Sequence, residues 1–244
     1  MKKLTVLLVI LSLTLSAFIF TSCAPATEEM TFGIGYSADN SMTSADGATA
    51  GEANVALTVA ATLFDKDGKL VACVIDVADN TVSFTSAGVA TVPSEFKTKR
   101  ELGDSYGMVQ YAGSELEWYE QADAFAAAAV GKTLAEIKAL MATSGATAGK
   151  GNDDVIAAGC TIYVSEFVKA IENSVKDTKT VNVARDDAKI TLTVTSSADA
   201  GNATDAANGK IDFEIGISAS VAGTDATATY TYDCEFDKSG AAVK

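Results

Sequence analysis

The chain has 244 residues, with 18 Lys and Arg against 32 Asp and Glu, no histidine, and a formal net charge of −14. Without histidine there is no Ser-His-Asp or Cys-His nucleophile, no His-ligated haem, and none of the usual catalytic zinc sites. The acidic balance offers nothing that could track a phosphate backbone, so no nucleic-acid partner is expected.

The first element is a leader. Met1-Lys2-Lys3 is basic, Leu4–Phe20 is apolar, and Thr21-Ser22-Cys23 ends the run with two small residues and a cysteine. That order is the form of a bacterial lipoprotein signal, cleaved before Cys23, which then carries the lipid. A run of this length is near the lower limit for a bilayer span. The small-small-Cys ending and the acidic start that follows (Ala24 to Glu29) favour a processed anchor over a spanning helix. Cleavage leaves 222 residues and, with Lys2 and Lys3 gone, a net charge of −16. The expected location is extracytoplasmic, with the membrane engaged through the lipid on Cys23.

Residues 23–50 read as a polar linker with a short alternating segment at Thr31–Tyr36. Strand signals follow. Leu57, Val59, Ala61 and Leu63 alternate with smaller or polar residues. Asp65-Lys66-Asp67-Gly68 is a hairpin turn with glycine where positive φ is needed, Lys69–Val77 is the return strand, and Thr81–Thr85 is a further short strand. The middle is helical. Capping boxes at Ser114–Glu117 and Thr133–Glu136 predict two helices, one carrying Trp118, Ala122, Phe125 and Ala129 on one face, the other Leu134, Ile137, Leu140 and Met141. Val164, Phe167, Val168, Ile171 and Val175 predict a third. Strands return at Ile190–Val194, Ile211–Ile217 and Thr227–Phe236, with a turn at Lys238-Ser239-Gly240. Thr31–Asp39 lines up with Thr191–Asp199, and Ser83–Ala90 with Glu235–Ala242, in the same order, as in a duplicated β module. The expected fold is α+β, mostly antiparallel sheet with a helical insert, followed by a second, partial β module. The expected divisions are 1–22 signal, 23–50 linker, 51–178 α+β domain and 179–244 partial repeat.

No catalytic set and no metal set emerges. Cys73, Cys160 and Cys234 are far apart with no CxxC pair, and Asp65, Asp67 and Asp79 lack the spacing of a calcium loop. The suggestive stretch is Asp153–Ser165. Gly159-Cys160-Thr161 is a small-residue turn before the third helix, where backbone N–H groups and the helix dipole favour an anion. Against this, Thr161 or Ser165 can be a plain helix cap, and Glu166 already sits at the favourable end of the dipole. Lys97, Lys99 and Arg100 form a basic cluster able to meet a phosphate or simply to face solvent. Trp118 and Tyr119 could stack on a flat ring, although the spacing of Trp118 with Phe125 points to the core.

Several pieces of 52–176 together resemble the bacterial FMN-binding domain family, whose members occur in the sodium-pumping NADH:quinone oxidoreductase, in the Rnf complex, and in flavolipoproteins of extracellular electron transfer. The pieces are Asp67-Gly68-Lys69-Leu70-Val71, then Glu101-Leu102-Gly103-Asp104, then Trp118 with Gly131-Lys132-Thr133-Leu134, and last Asp154 to Thr161. In that last piece Ala158 stands for the family's serine and Cys160 for its alanine, and the aspartate is one residue further away. The resemblance implies FMN, with Thr161 as the threonine that carries it. Two other tetrapeptides compete, Ser144-Gly145-Ala146-Thr147 and Asp46-Gly47-Ala48-Thr49, so Thr147 ranks second and Thr49 third. It also implies an electron carrier with a redox partner at the cell surface. The alternative is a flavin-free surface lipoprotein using the same scaffold as a binding or structural module.

Overall fold

The structure, a computed structural model, describes residues 26–145 and 148–243; the expected signal, Cys23 and Thr147 lie outside them. Strands β1 (Thr27–Thr43), β2 (Gly51–Asp65), β3 (Leu70–Phe84), β4 (Ala90–Thr91) and β5 (Thr178–Ala184) form one antiparallel sheet in the order β4-β3-β2-β1-β5. Strands β6 (Ile190–Gly201), β7 (Gly209–Val221) and β8 (Thr224–Phe236) form a second sheet. Between β4 and β5 run α1 (Lys99–Leu102), α2 (Met108–Ala112), α3 (Trp118–Ala129), α4 (Leu134–Lys138), α5 (Asp153–Ala157) and α6 (Ser165–Ser174). The molecule is α+β, as the alternation of periods in the sequence indicates.

Strand β2 is central and buried on both faces. Ala60 and Phe64 point to the helices with Ile75, Val77, Phe125, Phe167 and Ile171. Val55, Leu57 and Val59 point to the second sheet with Ile211, Phe213, Ile215 and Phe236. The period of two thus divides β2 and β3 between two cores.

Three expectations on the elements need correcting. The stretch read as linker contains β1, a full strand paired with both β2 and β5. Its pattern is hard to see because the positions facing the helices are Gly33 and Gly35, where a Cβ would lie 2.0 Å from Ser174 O and 2.1 Å from Ala170 O. Helix α6 therefore lies directly on the strand backbone, and only glycine leaves it room. The segments 69–77 and 81–85 are one strand, continuous because Asn54 Nδ2 bonds both Asp79 Oδ1 (3.0 Å) and Thr81 Oγ1 (2.9 Å) across the polar interruption. Residues 179–184, placed with the second module, pair with β1 in the first sheet.

The sandwich has an approximate two-fold relation between β1-β2-β3 and β6-β7-β8. Phe84 stacks on Phe236 at 4.4 Å with planes 13° apart. Each ring covers the glycine opposite it in register, Gly51 under Phe84 and Gly209 under Phe236, where a Cβ would come within 2.4 and 2.3 Å of ring carbons. Ala45 N donates to Gly240 O (2.7 Å), and Ala203 N to Gly88 O (2.8 Å). Ala242 N donates to Ser44 Oγ (2.9 Å), and Ala90 N to Asn202 Oδ1 (3.0 Å). Thr85 Oγ1 and Asp237 Oδ1 each accept two backbone N–H groups in matching turns. These pairs connect equivalent positions of the two meanders across one axis.

Candidate functional site

The helical layer is anchored by α6 and α3. Besides its seat on Gly33 and Gly35, α6 is held by Asn173 Nδ2 donating to Tyr36 O (2.8 Å) and by the buried pair Thr62 Oγ1 and Ser174 Oγ (2.6 Å). Glu166, in its first turn, accepts from Ser37 Oγ (2.6 Å) and pairs with Lys169 (2.7 Å). Burial works against its ionisation, but Lys169, Ser37 and Ser165 outweigh burial and hold its pKa below the usual 4.5. The favourable end of the α6 dipole is thus already occupied by a carboxylate.

Helix α3 starts at Trp118, later than the Ser114 box implies. Its N-cap is Glu117, whose N–H donates to Glu120 Oε2 (2.9 Å). The Glu117 carboxylate reaches back to take Met108 N (2.8 Å) and Val109 N (3.0 Å), so one buried side chain serves the start of α2 as well. Ser114 is released from capping and instead accepts from Gln121 Nε2 (2.9 Å). The Thr133–Glu136 box forms as expected and opens α4.

Thr161 is exposed, four residues before α6, in the turn that follows α5. Its N–H (2.9 Å) and its Oγ1 (3.0 Å) both donate to Gln121 Oε1, and Gln121 is fully buried on α3. Gly159 has φ +104, which a side chain would oppose, and Leu116 packs 2.7 Å from where its Cβ would be. Cys160 points into the core; burial pushes its thiol up to about 11. Burial also raises Cys73 to about 12 and Cys234 to about 11, so burial disfavours the thiolate of all three. Ser165 lies at the α6 start beside the loop at Gly149, whose carbonyl accepts Val164 N (2.8 Å) and Ser165 N (3.2 Å).

Trp118 is 5% exposed and meets Phe167 edge-on at 5.8 Å, as a core residue does. Lys99 Nζ pairs with Asp79 (3.1 Å) and lies 5.1 Å from the Tyr106 ring centre and 6.0 Å from that of Trp118. Burial alone would depress Lys99, but Tyr106 and Asp79 raise its pKa above 10.5. Arg100 bonds Ile75 O through Nε (3.2 Å) and Nη2 (2.9 Å), pairs with Asp123 (2.8 Å), and donates its N–H to Asp76 Oδ1 (3.2 Å). It closes the edge of β3, which would otherwise offer free backbone groups. The structure thus gathers Lys99, Arg100 and Trp118 along α3, with Thr161 one helical turn further on through Gln121. Thr49 lies apart, in the β1–β2 turn, where its backbone exchanges hydrogen bonds with Asp46.

Sequence reasoning missed Gln121, Lys150 and Tyr163. Tyr163 is 63% exposed, bridged to Lys150 in an isolated strand pair, with Lys150 Nζ 5.4 Å from its ring centre. An exposed aromatic two residues after the candidate threonine was the available signal. Gln121 gave none, since a glutamine within an apolar helical face is visible only once its partners are known. Among the described residues no group of three or more His, Cys, Asp or Glu is placed to hold a metal ion, and no helix is long and apolar enough to cross a membrane.

The chain is similar to a chlorophenol reductase. That protein, from Desulfitobacterium hafniense, is 30% identical to it over 131 residues, an overlap of 47% of this chain and 38% of the relative. The chain therefore matches well under half of that protein's length. No family model matches the chain, and no solved structure matches it.

Proposed function

We propose that this protein is a lipid-anchored, extracytoplasmic electron carrier with FMN esterified to Thr161. The observation that carries the reading is Thr161, an exposed residue on a small-residue turn whose hydroxyl is bonded to a fully buried glutamine. The bond fixes the place of the hydroxyl and also supplies the donors that the buried Gln121 Oε1 needs. The similarity to a reductase supports a role in reductive chemistry. The leader ending at Cys23 supports the anchor and the compartment.

The residues present fit FMN at its point of attachment. Thr161 Oγ1 can form a phosphoester while its N–H keeps Gln121. Tyr163 offers an exposed aromatic surface, and Lys150, with no carboxylate partner among the described residues, offers a cation. Cys160, with its side chain in the core, contributes backbone only. Bound FMN would supply one- and two-electron transfer, and the protein would hold it and exclude competing reactions.

The flavin-free scaffold stands as a second reading because Lys99 and Arg100 are committed to Asp79, Asp123 and the β3 edge. Intact mass and in-gel flavin fluorescence, after co-expression with a bacterial flavin transferase, separate the two. The expected result is an FMN-sized adduct on the wild type that is absent from Thr161→Ala. An adduct that survives moves the site to Thr147 or Thr49. No adduct, with no FMN retained, overturns the electron-carrier reading.

A further inference from the structure

We propose that the free edge of β1, from Ile34 to Thr43, docks a second copy of this chain, joined antiparallel across a two-fold axis at Asn40.

Strand β1 is 17 residues long, but β5 pairs with it only from Thr27 to Gly33. Strand β2 continues along its other side to Thr43. Which backbone groups this leaves open follows from the register. Arg100 takes Ile75 O at the outer edge of β3, so Ile75 faces away from β2 and its neighbours in β3 face toward it. Carried across β2, the same alternation turns Tyr36, Ala38, Asn40 and Met42 away from β2. Tyr36 O agrees, since it accepts from Asn173 Nδ2 of α6 (2.8 Å). Among the described residues nothing bonds the N–H or C=O of Ala38, Asn40 or Met42. The stretch has no proline, no lysine and no register shift, the devices that close an edge against another strand.

One side chain places the axis. Asn40 Nδ2 donates to the Tyr230 hydroxyl (2.6 Å), while Asn40 Oδ1 is buried without a partner. Turning the amide over lets Tyr230 donate to Oδ1 and leaves Nδ2 short instead. The amide has two N–H hydrogens, and Tyr230 uses one. On a two-fold axis Asn40 lies opposite its own counterpart with both side chains on the same face of the sheet. Each Oδ1 then accepts the spare hydrogen of the other amide, and the deficit is met on both sides. Tyr230 stands edge-on to Tyr36 (5.7 Å), so two aromatic side chains flank the contact. In this register Ala38 faces Met42, Asp39 faces Ser41 and Ser37 faces Thr43. A slip that puts Asp39 on the axis would set two carboxylates against each other. A slip that puts Ala38 there would drive Thr43 into the place that β5 holds beside Gly33.

Cysteine cross-linking of the full chain in detergent reads the register. Between facing strands only a residue on the axis meets its own counterpart, at a Cα separation of about 5.5 Å that a disulfide spans. Asn40→Cys should form a disulfide-linked dimer under mild oxidation. Ala38→Cys or Met42→Cys alone should not, each lying about 13 Å along the strand from its counterpart, but an equal mixture of the two should. The unsubstituted chain controls for its own cysteines. Light scattering gives the second readout: two copies per particle for the unsubstituted chain, with association weakened about tenfold or more in Asn40→Asp, which faces two carboxylates across the axis. A single copy per particle at every concentration, or more than two, overturns the proposal. So does self-linking by Ala38→Cys, or a dimer indifferent to Asn40→Asp. Should Asn40→Asp lose its circular dichroism signal, the cross-linking pattern at the three positions decides.

Discussion

Single residues in this protein matter chiefly by the bonds they leave no room to change. Gln121 shows the pattern at Thr161, and Glu166 shows it between α6 and β1. Because the folded-state pKa of Glu166 is held below 4.5, its ionised form is favoured by folding. That contribution is present above the unfolded pKa and is lost as pH falls through the folded one. Wild type should therefore be more stable than Glu166→Gln at pH 7, with the difference narrowing as pH falls below 4.5. Denaturant midpoints of both proteins from pH 7 to pH 3 check this, and a difference that stays constant with pH would contradict it. Lys99 and Arg100 read in the sequence as a free basic cluster because sequence shows charge but not partners. Their carboxylates, Asp79 and Asp123, are 20 or more positions away in the chain.

At the scale of elements, the contact between α6 and β1 decides where the candidate turn sits. A methyl at position 35 would meet Ala170 O and Ser174 N at 2.1 Å, backbone atoms that cannot swing aside as a side chain can. Gly35→Ala should cost about 1–3 kcal/mol or more by lifting the helix. Chemical denaturation measures the loss, and the matching substitution at open, strand-end Gly201 is the control. A Gly35→Ala midpoint equal to that of the control would mean that α6 does not rest on the strand as described. The helices and strands with regular periods were legible: the hairpin at Gly68, the Thr133 box and α6 all stand where their patterns place them. Strand β1 was not, because its helix-facing side carries glycines, which make the closest packing and the weakest hydrophobic signal. The start of α3 was missed because two boxes overlap. Glu117 can be read either as the N3 residue of the Ser114 box or as a cap in its own right, and its pairing with Glu120 shows that it takes the second role.

For the whole molecule, the paired meanders make a claim about energetics. Phe84 and Phe236 have the same surroundings, each over a glycine and against the other. Phe84→Ala and Phe236→Ala should each cost about 3–5 kcal/mol and agree closely. The double substitution should cost less than their sum, since one stack is lost in both. Calorimetric or denaturant unfolding of the three variants checks this, and a large inequality between the single substitutions would show that the two-fold relation has no energetic meaning. Among the described residues, helices cover the outer face of the first sheet alone. Where β1 has Gly33 and Gly35 to admit α6, the equivalent positions of β6 in this relation are Thr191 and Thr193, whose side chains leave no room for a helix at that distance.

The sequence by itself determined the local and the compositional: the α+β class, the turns that need glycine, the capped helices, and the absence of histidine chemistry. These depend on spacing within a few residues, or on counting, and both survive without coordinates. The tertiary structure alone decided which strands share a sheet and which polar groups are already paired. It alone decided that Thr161 answers to Gln121, 40 positions before it. A hydrogen bond depends on distance in space, and chain separation of that size carries no record of it.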